Sequence, residues 1–595
     1  MKKIEAIQKR KSISAYGGSG SIIETLNNGS LLILPYDQWP CFSQAMIGNC
    51  REINNPRLRH KVNEFPGYGN IGKLIEVPTP RLGENESVYN PYRETLLRTI
   101  NAQFFPEWFY CTKCRRLKRI SQWEVSWKER FPTDKKFKEN PPACPYCSRP
   151  SGRGISRKPL QQLRFMMASL DGGKMTDIPF DKILSMPRDS MFWCLDGNTP
   201  DNAELSYHTS KGTDGLQSIY IKRDDNNDPV FLSTINSKYL YYSNGDKKGA
   251  YRVKLRNGSD VYYPNILSCI YIPQPTPEQI NSINKLVNRG FDAQNIYEII
   301  GGGYGLSLQQ IQDIIDDVGQ GNDQGEFEMS EFYYITNHAI YNQTTHKRAE
   351  RDFKAIYYPN LRLSRIKGFY ALTQLKETSV LLSYNLVSNN SKDWLNIDTL
   401  TIEETNPKTV YPFKNPNNTD FMPAVDLYGE GLLFELDATG IPNSSDRLVF
   451  AHTFCHLIMK ELEFLCGYPV TSLKERIYQN GDSLGFLIYT IQGSEGSYGG
   501  LTSLLPHGDT NANNAKLLKV VATAAERAKD CPNDPICMHE NKHCFACVDL
   551  PETSCQLWNN NLSRDVFLRY IYQQQTPNTL NPTPNLAQNT IILDD

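Results

Sequence analysis

Five of the chain's fifteen cysteines crowd into 25 residues: Cys531, Cys537, Cys544, Cys547 and Cys555. Thiols gathered so densely confine the local fold to tight turns around a shared centre. Cys544-Phe-Ala-Cys547 is a C-x2-C knuckle, a spacing that lets two thiolates bite one ion from a single turn. Four thiolates make the soft, tetrahedral set that suits zinc, and a set with no open position makes a structural rather than a catalytic centre. Disulfides or buried small hydrophobes compete with this reading, and the spacing favours metal. Spacing alone does not say which four of the five would bind.

A second candidate lies at 109–158. Cys111-Thr-Lys-Cys114 and Cys144-Pro-Tyr-Cys147 are two knuckles with 29 residues between them, a zinc-ribbon pattern with a long insert. From 111 to 158 there are fourteen Lys and Arg against four acids, in a chain of net charge −1. Arg115, Arg116, Lys118, Arg119, Lys128 and Arg130 interleave with Trp123 and Trp127. Basic side chains bind phosphates by releasing counterions, and aromatic faces stack bases, so this stretch is a candidate DNA surface. A solvated basic face, with the tryptophans packing the ribbon, is the equal alternative.

A chain of 595 residues suggests about three to five domains. Hydrophobic content of 39% and charged content of 22% describe an ordinary folded chain. No stretch approaches the ~18 uninterrupted apolar residues of a membrane span. The basic start Met1–Lys11 is not followed by an apolar segment, so no secretory signal is expected. Cysteines grouped as knuckles then read as ligands in a reducing cytoplasm.

Hydrophobic periodicity and turn residues predict a mixed α/β, that is α+β, multidomain chain. A β-rich region covers 1–108, a basic zinc-ribbon-like module 109–158 and a second β-rich region 159–274. A small helical insert follows at 275–325. Its first helix is announced by Thr276-Pro-Glu-Gln279, a capping box with proline at the first helical position. A third β-rich region covers 326–440, an α/β zinc-binding domain 441–572 and a polar tail 573–595. Within 441–572 a long helix is expected from about Asp446 to Leu465, stopped by Gly467.

Three other features invite chemistry. Gly17-Gly-Ser-Gly20 suggests a phosphate loop but lacks the Gly-Lys-Ser/Thr ending, so a plain turn is the better reading. Gly493–Gly500 is a second glycine-rich loop, where a backbone-lined anion site is conceivable. His452 and His456 share one side of the long helix at i and i+4, a spacing that can bind zinc. Thr453 stands where the metalloprotease pattern needs Glu, so packed or hydrogen-bonded histidines are expected. No Gly-x4-Gly-Lys-Ser/Thr occurs, since Gly72-Lys-Leu and Gly173-Lys-Met both fail it, and no compact nuclease signature is present. These absences argue for a non-enzymatic protein over a metal-dependent nuclease or hydrolase.

His452-Thr-Phe-Cys-His456, Ser472-Leu-Lys-Glu-Arg-Ile-Tyr478, Gly493-Ser-Glu-Gly496, Cys544-Phe-Ala-Cys547 and Leu550-Pro-Glu-Thr-Ser-Cys555 stand in order. With Leu34-Pro-Tyr-Asp-Gln-Trp39 and the Cys111/Cys114 stretch, the chain resembles the DrmB family of the DISARM bacterial anti-phage system. Its C-terminal part is similar to the zinc-binding domain fused to MrfA-type helicases. The resemblance implies two structural zinc ions, DNA binding (phage DNA, single-stranded or duplex with an overhang) and partnership with a DrmA-type DNA helicase. It further implies Cys537, Cys544, Cys547 and Cys555 as the C-terminal ligands, with Cys531 spare. Ser169 and Lys174 stand where such proteins often carry a further Cys and a Gly-His, so no extra ligand is expected there. A scaffold that never touches DNA is the remaining alternative.

Overall fold

A computed structural model describes residues 9–14, 16–25, 29–77, 100–134, 137, 142–151, 154–169, 173–184, 186–196, 204–210, 215–224, 228–242, 251–256, 258, 261–272, 277–301, 308–315, 324–341, 354–358, 365–386, 393–396, 401–404, 408–491, 500–505, 516–551 and 554–572. The expected capping box at Thr276, most of the loop 493–500 and the tail 573–595 lie outside these residues.

The chain is a multidomain α+β protein of two compact units, one built from 1–54, 61–267 and 379–425, the other from 55–60, 268–378 and 426–595. In the first, a six-stranded sheet runs in the order Gln161–Gln162, Trp108–Tyr110, Arg116–Arg119, Leu205–Thr209, Ile219–Arg223, Val230–Phe231. A five-stranded sheet includes Phe165–Ser169, Tyr251–Leu255, Tyr239–Tyr241 and Phe192–Cys194. The period of two is visible in Leu205–Thr209, where Leu205 and Tyr207 are buried while Ser206 and His208 are not. Tyr207 stacks on Tyr110 at 4.0 Å, and Trp108, Phe180, Trp193 and Ile221 fill the core between these strands.

In the second unit the helices Pro277–Val287, Ala293–Ile296 and Leu308–Ile315 close on one another through Ile283, Ala293, Ile296 and Ile311. Their apolar residues recur at helical spacing, so each turns one stripe inward. A further helix, Gln324–His338, falls where strands were expected. It carries Glu331 into a buried ionic cluster. Glu377 is fully buried, with Lys474 Nζ at 3.0 Å and Arg476 Nη2 at 3.7 Å, and Tyr489 donates its hydroxyl to it at 2.9 Å. Arg476 lies 3.5 Å from Glu331, which accepts a bond from Tyr478.

The long helix is Ser444–Cys466. Gly467 ends it at φ 72, with its N–H on Glu463 O and the N–H of Tyr468 on Leu462 O. A residue with a Cβ resists that left-handed geometry, which is why glycine stops the helix there. Most of the helix is buried, against the hairpin Leu473–Asn480 and Ser483–Ile491 and the helices Lys516–Arg527 and Arg564–Ile571. Phe450 and Phe454 pack on Phe567, and Phe454 meets Phe486. This helix positions the C-terminal thiols. No helix among the described residues is long and apolar enough to cross a membrane.

Candidate metal centres

The hairpin Trp108–Tyr110 / Arg116–Arg119 turns through Cys111 and Cys114. Arg115 N donates to Cys111 O at 2.9 Å, and Arg115 itself takes the left-handed conformation at φ 64. The second knuckle folds the same way, with Ser148 N on Cys144 O at 3.0 Å. Cys114 Sγ and Cys144 Sγ stand 3.7 Å apart, and the four sulfurs lie within 4.8 Å of one another. Tetrahedral thiolates on zinc, with Zn–S of ~2.3 Å, have sulfur–sulfur edges of about 3.8 Å. All four cysteines are free. The hydrogen bond from Cys144 pulls the pKa of the Cys114 thiol down to about 4.

Under this centre lies a core of Phe109, Trp123, Trp127, Phe131 and Phe137. Both tryptophans are fully buried on the helix Ile120–Arg130. Trp123 Nε1 donates to Phe109 O at 2.9 Å, and the Arg157 guanidinium covers the Trp127 ring at 4.4 Å. The rings expected as a stacking surface for bases therefore pack the ribbon, because each sits on the helix face turned to the cysteines.

The expected basic residues divide into two groups. Arg116 pairs with Glu204 at 2.9 Å and lies over the Tyr146 ring, and Lys118 pairs with Glu204 at 3.3 Å. Arg119 reaches Glu107 and Asp177 and covers Trp108. Lys113, Arg115, Lys128, Arg130 and Arg149 are exposed. Among the described residues Lys128 pairs only with Glu124 one turn away, and Lys113, Arg115 and Arg149 have no ion pair.

At the C-terminal end, Cys531 belongs to the thiol set. Cys531 Sγ lies 3.5 Å from Cys544 Sγ, Cys537 Sγ 3.7 Å from Cys547 Sγ, and Cys544 Sγ 3.6 Å from Cys547 Sγ. Cys555 does not join them. It lies 3.3 Å from His452 Nε2, in a buried group with His456 and Glu475. The implied ligand set thus differs at one member. The turn Cys531–Cys537, held by Asp534 on Cys531 N at 3.0 Å, brings Cys531 onto the knuckle. The peptide after Leu550 carries Cys555 toward the long helix instead. Either four-cysteine set can hold a zinc-like ion.

The glycines Gly17–Gly20 form a turn. Gly20 N donates to Ile33 O, and Gly20 has φ 81, with a Cβ there meeting the Tyr384 ring at 2.2 Å. The strand Ile22–Thr25 follows rather than a helix, so no phosphate cradle is built.

Each of the two α+β units thus carries one four-cysteine set that could hold a zinc-like ion. Residues 8–256 match a family described as Domain of unknown function (DUF8724). The chain is distantly homologous to the DISARM protein DrmB of Bacillus paralicheniformis (strain ATCC 9945a / NCIMB 11709 / CD-2), being 28% identical over 247 residues. That match takes in 34% of this chain and 41% of the relative, so less than half of the relative's length is spanned.

Proposed function

We propose that the chain is a non-enzymatic, DNA-binding component of a DISARM-type anti-phage complex, acting in the cytoplasm beside a DrmA-type helicase. The homology to a DISARM protein carries the assignment to defence. Two zinc ions hold the ribbon and the C-terminal unit, the latter serving as an MrfA-type zinc-binding domain.

The DNA reading rests on the exposed cations around the first centre: Lys113, Arg115, Lys128, Arg130 and Arg149. With the tryptophans buried, binding runs through phosphates and is indifferent to base sequence. Such a patch acts within about a Debye length, ~8 Å at physiological salt, so the chain's net charge of −1 does not cancel it. The neutralised Arg116, Lys118 and Arg119 favour the second reading, a scaffold. His452 and His456, both fully buried, are withdrawn from any phosphodiester.

The test is co-purification of the full chain with the helicase, followed by DNA binding of each component and of the complex over a salt series. Helicase capture with salt-dependent binding by this chain supports the proposal. Capture with no binding by the chain leaves the scaffold. No capture removes the partnership.

A further inference from the structure

Outside the two thiol sets, the second unit holds a third group of metal-ligating side chains, drawn from three places in the chain. His452 and His456 come from the helix Ser444–Cys466, Glu475 from the strand Leu473–Asn480, and Cys555 from the segment before the last helix. Both histidines are fully buried, and Glu475 and Cys555 are at 4% and 7% exposure. One ligand atom from each lies within 4.8 Å of every other. His452 Nε2 is 3.1 Å from Glu475 Oε1 and 3.3 Å from Cys555 Sγ, and His456 Nε2 is 3.2 Å from Glu475 Oε2.

We propose that His452, His456, Glu475 and Cys555 form a third metal centre, a closed tetrahedral site for one zinc-like divalent cation. The tautomer of His456 is the first argument. Its Nδ1 faces the carbonyl oxygen of Val548 at 3.1 Å, so Nδ1 carries the hydrogen and donates it. Its Nε2 then meets the Glu475 carboxylate, 3.3 Å from Oε1 and 3.2 Å from Oε2. Glu475 Oε2 has no hydrogen-bond partner there. One cation held between Nε2 and the carboxylate would bind both. A histidine that binds a metal through one nitrogen commonly donates the hydrogen on the other to a backbone carbonyl or carboxylate, which fixes the ring.

The sulfur gives a second argument. Asn559 N donates to Cys555 Sγ at 3.1 Å, as Lys113 N does to Cys111 at 3.4 Å, Asn533 N to Cys531 at 3.4 Å and Cys544 N to Cys547 at 3.3 Å. A backbone N–H···S contact is therefore shared by Cys555 and by Cys111, Cys531 and Cys547 of the four-cysteine sets. Glu475 Oε1 likewise accepts from Gln556 N at 2.9 Å. Mixed nitrogen, oxygen and sulfur donors with bonds of ~2.0–2.3 Å suit zinc, and four protein ligands in a dry site leave no position for substrate. The ion would fasten the long helix to the hairpin and to the chain's closing segment.

The full chain, saturated with zinc and freed of excess, is the material for the test. Elemental analysis and zinc-edge X-ray absorption need no mutation. Three ions per chain are expected, with nine sulfurs, two nitrogens and one oxygen shared among them, so an average shell of about three sulfurs and one light atom. Two ions in an all-sulfur shell overturn the site. His452→Gln and Cys555→Ser should each remove one ion while the remaining shell becomes all sulfur. A soluble variant that keeps its full zinc and its light-atom signal overturns it too.

Discussion

Arg564, fully buried at the start of the last helix, reaches Asp534 at 2.5 Å, and the same carboxylate accepts the N–H of Cys531 at 3.0 Å. The last helix is thereby tied to the turn that delivers the first thiol of the C-terminal set. Nη1 of Arg564 donates to Ala528 O at 3.3 Å, just past the end of the helix Lys516–Arg527.

Arg564→Ala is therefore expected to lower the melting temperature and speed zinc loss to a chelator. Arg564→Lys keeps the charge and loses the fork that spans both partners. It should recover only part of both properties. Chelator-release kinetics beside a thermal melt measure this, and full recovery by Lys would reduce the contact to charge alone.

Cys531→Ser and Cys544→Ser should each cost one zinc and the fold around it, because structural zinc contributes on the order of 10 kcal/mol in zinc-finger peptides. Zinc content of the soluble fraction reports it. A Cys531→Ser protein with unchanged zinc would restore the implied ligand set, in which Cys531 is spare.

Burial raises the Glu377 carboxyl, but Lys474 and Arg476 more than offset it and hold it below the ordinary carboxylate range. A depressed carboxyl gives stability that is fully present above its unfolded pKa, about 4.3, and lost as pH falls through the folded value. Glu377→Gln removes the carboxylate partner of the half-exposed Lys474 and one of the two carboxylates beside Arg476, which keeps Glu331, and should cost about 3 kcal/mol at neutral pH. Burial moves Glu331 the other way, so the difference between wild type and variant is the informative quantity. It should shrink toward acid; a pH-independent difference would show that Glu377 acts only through packing.

Lys113, Arg115, Lys128 and Arg130 replaced by Ala should weaken DNA binding evenly across sequences. The slope of log affinity on log salt should flatten by up to ~0.9 per lost duplex contact. Arg116→Ala and Arg119→Ala should act mainly on stability, since those cations already have partners. Trp127→Ala should cost about 3–5 kcal/mol as a core truncation. Single-strand and duplex affinity should then fall together. Selective loss of single-strand affinity in a folded Trp127→Ala protein would contradict the burial of that ring.

The long helix, its glycine stop and the three helices of the insert were legible because apolar spacing and a glycine stop are local signals. Both knuckle pairs were legible because ligands three residues apart announce a shared ion. The helix Gln324–His338 was not, since its aromatics Phe327, Phe332, Tyr333 and Tyr334 read equally well as strand. Charge and aromatic interleaving in 111–131 left the facing of Trp123 and Trp127 open, and only the seating of their helix decides it. His452 and His456 were visible as a pair, but Glu475 and Cys555 lie far along the chain, and tertiary packing brings them to the helix.

The left-handed conformation of Arg115 sets a conflict between folding and charge at one position. For a residue with a Cβ, that backbone conformation costs on the order of 1–2 kcal/mol, and glycine would adopt it freely. Arg115→Gly should thus make the ribbon more stable and less basic in one step. Arg115 is thus a cation held at the tip of a knuckle against the preference of its own backbone. On the proposed DNA reading, the residue that best stabilises this turn and the residue that best meets a polyanion are two different amino acids.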